Sequence, residues 1–237
     1  MLAPDRNNDS REGAAGKTAI EEVHAEIRKG ILTGLLEPES RLRVEALRKE
    51  YGVGSSTVRE ALSRLLIENL VTTEGQRGFH VAPVSLADFR QIAELRMLLE
   101  AQAVTDSIRD GDDDWEARVV GAHHRLAKIE TEMPGKERSS VDEWERRNRD
   151  FHDALVSACG NRWLLNFRDI LYNHSVRYLR ISVTERTIPR DVRSEHQAIF
   201  NAVIDRDVEL AEKLTRDHIW RTVPEIEARL APIAAAE

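Results

Sequence analysis

The stretch from Glu45 to Val81 constrains the fold most, because short helical and strand patterns alternate there with glycine-marked turns. Glu45 to Tyr51 reads as a short helix with Leu47 inward, and Gly52 stops it. Gly52-Val53-Gly54-Ser55 is a tight connection. A longer helix follows from about Ser56 to Asn69, with Val58, Leu62, Leu65 and Leu66 apolar and Thr57 with Glu60 as a capping box. Leu70 to Thr73, the glycine-bearing run Glu74-Gly75-Gln76-Arg77-Gly78, and Phe79-His80-Val81 spell strand, turn and strand. Two helices around a short turn, followed by a hairpin, make a winged helix-turn-helix. Upstream, Ile20, Val23, Ile27 and Ile31 mark a helix from Thr18 to Thr33, ended by Gly34 and Pro38. Arg41-Leu42-Arg43-Val44 alternates as a small strand would.

A net charge of −7 and a pI near 5.7 give no general reason to expect nucleic acid, so the basic residues must be gathered locally. The N-terminal end of a recognition helix enters the major groove, which places Ser55, Ser56, Thr57 and Arg59 against DNA. Arg59 can grip a guanine edge with two donors. Arg41, Arg43, Arg48 and Lys49 add positive charge ahead of that helix, and Arg77, Gly78 and His80 sit on the wing.

Ala82-Pro83-Val84 reads as a link, and Ser85 to Asp88 as a capping box. Six helical segments are expected after it: 86–109, 113–132, 140–159, 162–182, 189–205 and 207–230. The chain therefore divides into a disordered tail at 1–17, a winged helix-turn-helix domain at 18–83 and an all-α six-helix bundle at 84–232, a mainly α fold. The polar tail has no apolar core that would target secretion, and no stretch reads as a membrane span. Cys159, a lone cysteine, rules out an internal disulfide and reads as a buried thiol. A cytoplasmic location is expected.

The bundle carries a scattered polar quartet. Asn148 and His152 are four apart and share a helix face; His196 and His218 lie on later helices. Three helices can point these side chains at one centre, a usual way to build a metal site in a bundle. Arg96 is either an anchor for a carboxylate or an ion-pair partner of Glu100, four residues on. Arg168 and Ser175 interrupt the apolar stripe of Leu164 and Leu171 and are assigned to the same cavity. His123 and His124 point about 100° apart on a helix, so they cannot easily share a metal and are assigned to the surface. His24, His80 and His174 have no partner in sequence.

Gly52-Val53-Gly54-Ser55-Ser56-Thr57-Val58-Arg59-Glu60-Ala61-Leu62, followed by Leu65, Leu70 and Arg77-Gly78-Phe79-His80-Val81, resembles the DNA-binding domain of the GntR family of bacterial transcription regulators. The family often has Ser-Arg-Thr-Pro where this chain has Gly54-Ser55-Ser56-Thr57, so an arginine is missing at Ser55. The bundle resembles the FCD domain of the FadR subfamily in Glu94-Leu95-Arg96 with Glu100, Phe151-His152 with Leu155, Gly160-Asn161, Glu195-His196 with Ile199, and His218-Ile219. Six helices look more like the VanR group than FadR itself. The resemblance implies a homodimer on a near-palindromic double-stranded operator, and a divalent metal at Asn148, His152, His196 and His218. Zinc is the first choice, with nickel, manganese or iron as alternatives.

The family more often has aspartate at the first ligand. Asn148 brings no charge, so the buried cation would keep its full charge, and a small carboxylate effector is expected to bind it directly. The function expected is that of a metal-containing, ligand-responsive regulator, a repressor in the commoner mode of the family, and not an enzyme. A second reading keeps the regulator but leaves the pocket metal-free, with the histidines holding the effector carboxylate. A third takes His152-Asp153 as the doublet of an HD-type phosphohydrolase, which leaves Asn148 and the winged helix without a role.

Overall fold

The computed structural model describes residues 8–73, 78–132, 138–182 and 191–234. They fall into two compact units: the residues up to 85 together with 176–182, and the remainder. No helix among them is long and apolar enough to cross a membrane.

The first unit runs α1 (Asn8–Leu32), β1 (Arg41–Leu42), α2 (Val44–Tyr51), α3 (Ser55–Ile67), β2 (Val71–Thr73) and β3 (Phe79–Val81). The antiparallel sheet has the order β1-β3-β2, with His80 opposite both Arg41 and Thr72. Val23, Ile27 and Ile31 of α1, Leu47 of α2 and Val58, Leu62 and Leu65 of α3 close over Leu70, Val71 and Val81. Gly52 ends α2 at φ 65°, a left-handed conformation that favours glycine, and this sets the tight turn. Glu68, just past α3, accepts from His24 and Arg28 of α1, each at 2.6 Å, so His24 has a partner that its sequence neighbours do not reveal.

Two expectations for this unit change. α1 reaches back to Asn8, into the segment read as a tail. Residues 1–7 lie outside the described residues. α3 begins at Ser55 and its N-cap is Gly54, without a side-chain cap, so Thr57 is not a capping residue. Glu60 instead pairs with Arg64.

The second unit is all helical: α4 (Leu86–Asp110), α5 (Asp113–Glu132), α6 (Arg138–Leu155), α7 (Arg162–Ser182, up to Ser175), α8 (Val192–Ile204), α9 (Val208–Trp220) and α10 (Thr222–Ala234). Trp115, Val119 and Leu126 of α5, Phe151 and Leu155 of α6, and Ile199 and Val203 of α8 form its core. Asp191 caps α8 through the Ser194 N–H, and Asp207 caps α9 through the Leu210 N–H. The expected last helix is divided at Arg221. Pro224 explains the break, since its ring would clash with the Trp220 carbonyl and it has no N–H to give, whereas the first turn of α10 tolerates it. His123 is not a surface residue. It is buried, stacked on Phe200 with ring centroids 4.1 Å apart. Cys159 is buried as expected, and burial pushes its thiol pKa up.

Candidate functional site

α6, α8 and α9 bring His152, His196 and His218 together. Their ring centroids lie 5.4 Å (His152–His196), 5.1 Å (His152–His218) and 4.9 Å (His196–His218) apart. One nitrogen of each lies within 4.8 Å of the others. Burial, and after it the nearby His218 and His196, push His152 well below the usual imidazole range. At neutral pH it is therefore the uncharged, ligating form.

Carboxylates fix two of the rings. His196 Nδ1 lies 2.8 Å from Glu130 Oε1 of α5, which also accepts from the Trp144 indole N–H at 3.3 Å. His218 Nδ1 lies 2.8 Å from Glu195 Oε2, and Glu195 also accepts from Arg221 at 3.3 Å. An ionised carboxylate only accepts, so each ring turns a proton on Nδ1 towards its acid, and in the uncharged ring the lone pair lies on Nε2. His196 Nε2 is buried without a hydrogen-bond partner, and so is Asn148 Oδ1, one helical turn before His152. The Asn148 amide donates to the Tyr172 hydroxyl at 3.4 Å, which leaves that oxygen as the unused end. Two orphaned acceptors beside two further imidazoles suit a divalent cation, with open positions left over.

The neighbouring side is rich in guanidinium. Glu100, 2 % exposed, accepts from Arg96 at 3.1 Å and from Arg168 Nε at 3.0 Å. Burial alone would raise its pKa, but Arg168 and Arg96 outweigh that and hold it at about 2. Arg168 also donates to Asp153. Arg96, Arg149 and Arg168 lie 5.0, 5.1 and 5.5 Å from the centre of the Tyr172 ring, which is 6.5 Å from that of His152. Arg96 thus makes its ion pair with Glu100, yet its Nε is buried without a partner, as is Arg168 Nη2. Ser175 is buried on the same helix as Arg168. Asp153 is held by Arg149 and Arg168, which occupies the acid that an HD doublet would need. A cavity of about 380 Å³ opens beside His218, lined by Glu195, Leu214, Asp217 and Arg221 among others.

In the first unit, Arg43, Ser56 and Arg59 are exposed and Ser55 and Thr57 are half-buried at the start of α3. The Ser55 hydroxyl donates to Glu45 at 3.3 Å, and Arg48 donates to the other oxygen of Glu45 at 3.1 Å. Sequence reasoning missed this acid at the start of α3. Gly78 has φ 93°, and His80 Nδ1 is buried with no hydrogen-bond partner. Arg77 lies outside the described residues. Glu130 and Glu195 were also missed as partners of the histidines. Glu195 adjoins His196 in sequence but serves His218, and nothing in the spacing ties Glu130 to a residue 66 positions away.

Residues 19–81 match the family described as bacterial regulatory proteins, gntR family, and residues 91–221 match the FCD domain. The chain is 42% identical over 207 residues to the HTH-type transcriptional regulator BphR of Paraburkholderia xenovorans (strain LB400), covering 87% of this chain and 84% of that one. It is 35% identical over 209 residues to the HTH-type transcriptional repressor GlaR of Escherichia coli (strain K12), covering 86% and 94%. Among solved structures, E. coli McbR/YncC superposes with a TM-score of 0.73 at 18% identity over 89% of this chain and 97% of that one. A transcriptional regulator GntR from Rhodococcus sp. RHA1 gives 0.70 at 21% identity, over 89% and 98%. At such identities these two structures speak for the fold alone.

Proposed function

We propose, for a chain that belongs to the gntR family of bacterial regulatory proteins and carries an FCD domain, that this DNA-binding transcription regulator is a metal-containing repressor whose bundle senses a small organic acid. The observation that carries the reading is the trio His152, His196 and His218, with Asn148 Oδ1 and His196 Nε2 buried and unpartnered beside it. Asn148, His152, His196 and His218 would hold the cation. Three imidazoles and an amide oxygen suit zinc first, and nickel, manganese or iron next. A bound cation supplies open positions at which a carboxylate oxygen can ligate.

The chain's own residues receive the rest of the effector. Arg96 Nε and Arg168 Nη2 keep unpartnered N–H groups, and a guanidinium favours carboxylate oxygens geometrically. Ser175, farther along α7, is assigned to the same pocket. A metal-free pocket would have to place the carboxylate beside His152, which burial keeps uncharged, and beside two rings whose Nδ1 protons already go to Glu130 and Glu195. The metal reading is therefore preferred. Arg43, Ser55, Ser56, Thr57 and Arg59, with Arg77, Gly78 and His80 of the wing, are assigned to the operator. A homodimer would read a near-palindromic site in the cytoplasm. The effector acts by binding two arrangements of the chain with different affinity.

Elemental analysis of purified protein tests the metal. One divalent ion per chain is expected in the wild type and none after His152→Ala with His196→Ala; equal content in both would end the assignment. Arg59→Ala is expected to abolish sequence-specific operator binding while the protein stays folded.

A further inference from the structure

We propose that Glu130 and Glu195 supply, from behind the imidazoles, the negative charge that Asn148 withholds from the metal centre, and that they offset part of the cation's charge before any effector arrives. The inference rests on the metal reading above and deepens it. Asn148 and three neutral imidazoles leave a divalent cation with its two charges. Glu130 and Glu195 place a carboxylate oxygen 2.8 Å from the Nδ1 atoms of His196 and His218, and the exposed Arg221 shares the other oxygen of Glu195 at 3.3 Å. Both acids are well covered, with side chains 6 % and 11 % exposed, so water screens them little. A carboxylate on Nδ1–H draws that proton, raises electron density at Nε2 and strengthens the ring as a ligand.

The placement is too specific for two ordinary surface acids. Glu130 reaches from α5 to a ring on α8, and the Trp144 indole of α6 secures the same oxygen. Glu195 reaches from α8 to a ring on α9, so α8 provides one ligand and the brace for another. The preference for an anionic effector, read from Asn148 alone, changes its basis. The charge of the centre draws the carboxylate less than Asn148 alone implies, and the unpartnered N–H groups of Arg96 and Arg168 draw it more. Glu130 and Glu195 are positioning residues that act through the histidines.

Cobalt(II) is the probe for metal and acetate the probe for anion, in full-length protein. Competition with a chelator gives the cobalt affinity, and the visible cobalt spectrum reports acetate binding. Glu130→Gln and Glu195→Gln are each expected to weaken cobalt binding by about 10- to 100-fold and, at saturating cobalt, to tighten acetate binding. Adding Asn148→Asp to either variant should restore much of the cobalt affinity and weaken acetate again. A brace that only orients a ring would lose metal without gaining acetate affinity and without rescue by Asn148→Asp, and that result overturns the proposal. Unchanged cobalt affinity in both glutamine variants overturns it too, while leaving the metal site standing. A wild-type chain that takes up no cobalt removes the metal reading itself. Circular dichroism checks folding, and Glu195, at the edge of the cavity, provides a variant independent of the Glu130 core position.

Discussion

Glu100 shows how a single residue sets the character of the site. It is buried between two guanidiniums, and the cost of desolvating its charge is outweighed by Arg168 and Arg96. Its pKa falls from an ordinary 4.5 to about 2. A carboxyl depressed on folding contributes stability that is fully present above the unfolded pKa and is lost as pH falls through the folded one. Glu100→Gln removes that charge and leaves Arg168, 3 % exposed, with Asp153 as its remaining acid, a loss on the order of 3–5 kcal/mol at pH 7. Denaturant melts across pH check the sign: the gap between variant and wild type should be full above pH 4.5 and shrink towards pH 2. A gap independent of pH would mean that the ionised form is not what matters. At this scale the sequence was readable where partners lie a helical turn apart. Arg96–Glu100 is such a pair, and Arg168 stood out as a charge on an apolar stripe. Glu130–His196 spans 66 positions and follows no spacing rule. His123 was misplaced although it lies on the apolar face of Val119 and Leu126. Ruling out a shared metal with His124 says nothing about burial.

Elements depend on corners, and the corner between α4 and α5 is unusually tight. A Cβ on Gly111 would lie 2.1 Å from the Trp115 ring and 2.6 Å from the Ser107 carbonyl oxygen. Neither can yield easily. Trp115 is 1 % exposed and its indole N–H donates to the Ala154 carbonyl at 3.1 Å, while the Ser107 oxygen is main chain and accepts the Gly111 N–H. Arg206 adds a clamp by donating to the carbonyls of Ile108 and Gly111. Gly111→Ala should therefore destabilise the second unit by about 1–3 kcal/mol, seen as a lower denaturation midpoint with an unchanged slope; an unaltered midpoint would mean that the corner relaxes freely. Corners and caps of this kind are local, which is why the winged helix was legible from glycines and alternation. The end of the bundle was less so. Apolar periodicity continues through Arg221, and it masked Pro224, which decides where one helix stops and the next begins. The α3 start was misread for a related reason: Thr57 and Glu60 fit a capping pattern, but Gly54 already occupies the cap position.

On the scale of the molecule, α7 is shared between the two compact units. Arg168 and Tyr172 stand on its part within the second unit, and its last turns, 176–182, belong to the first. There Arg177 donates to the carbonyls of Ala82 and Pro83, and the Ser85 N–H donates to the Tyr178 hydroxyl at 3.1 Å. The segment from Ala82 to Ser85 is thus held by the last turns of α7. Two compact units also imply that metal should stabilise unequally. A ligand that binds only the folded form adds about 2.7 kcal/mol when its free concentration is a hundred times Kd. For a domain the size of the bundle, that corresponds to roughly 5–10 °C in Tm. Scanning calorimetry of the intact protein, metal-loaded and after dialysis against a chelator, should show one transition moving by that amount. The transition that operator DNA raises, assigned to the winged helix, should stay in place. Equal movement of both would mean that the units unfold as one, and no movement of either would leave the three histidines without an ion to hold.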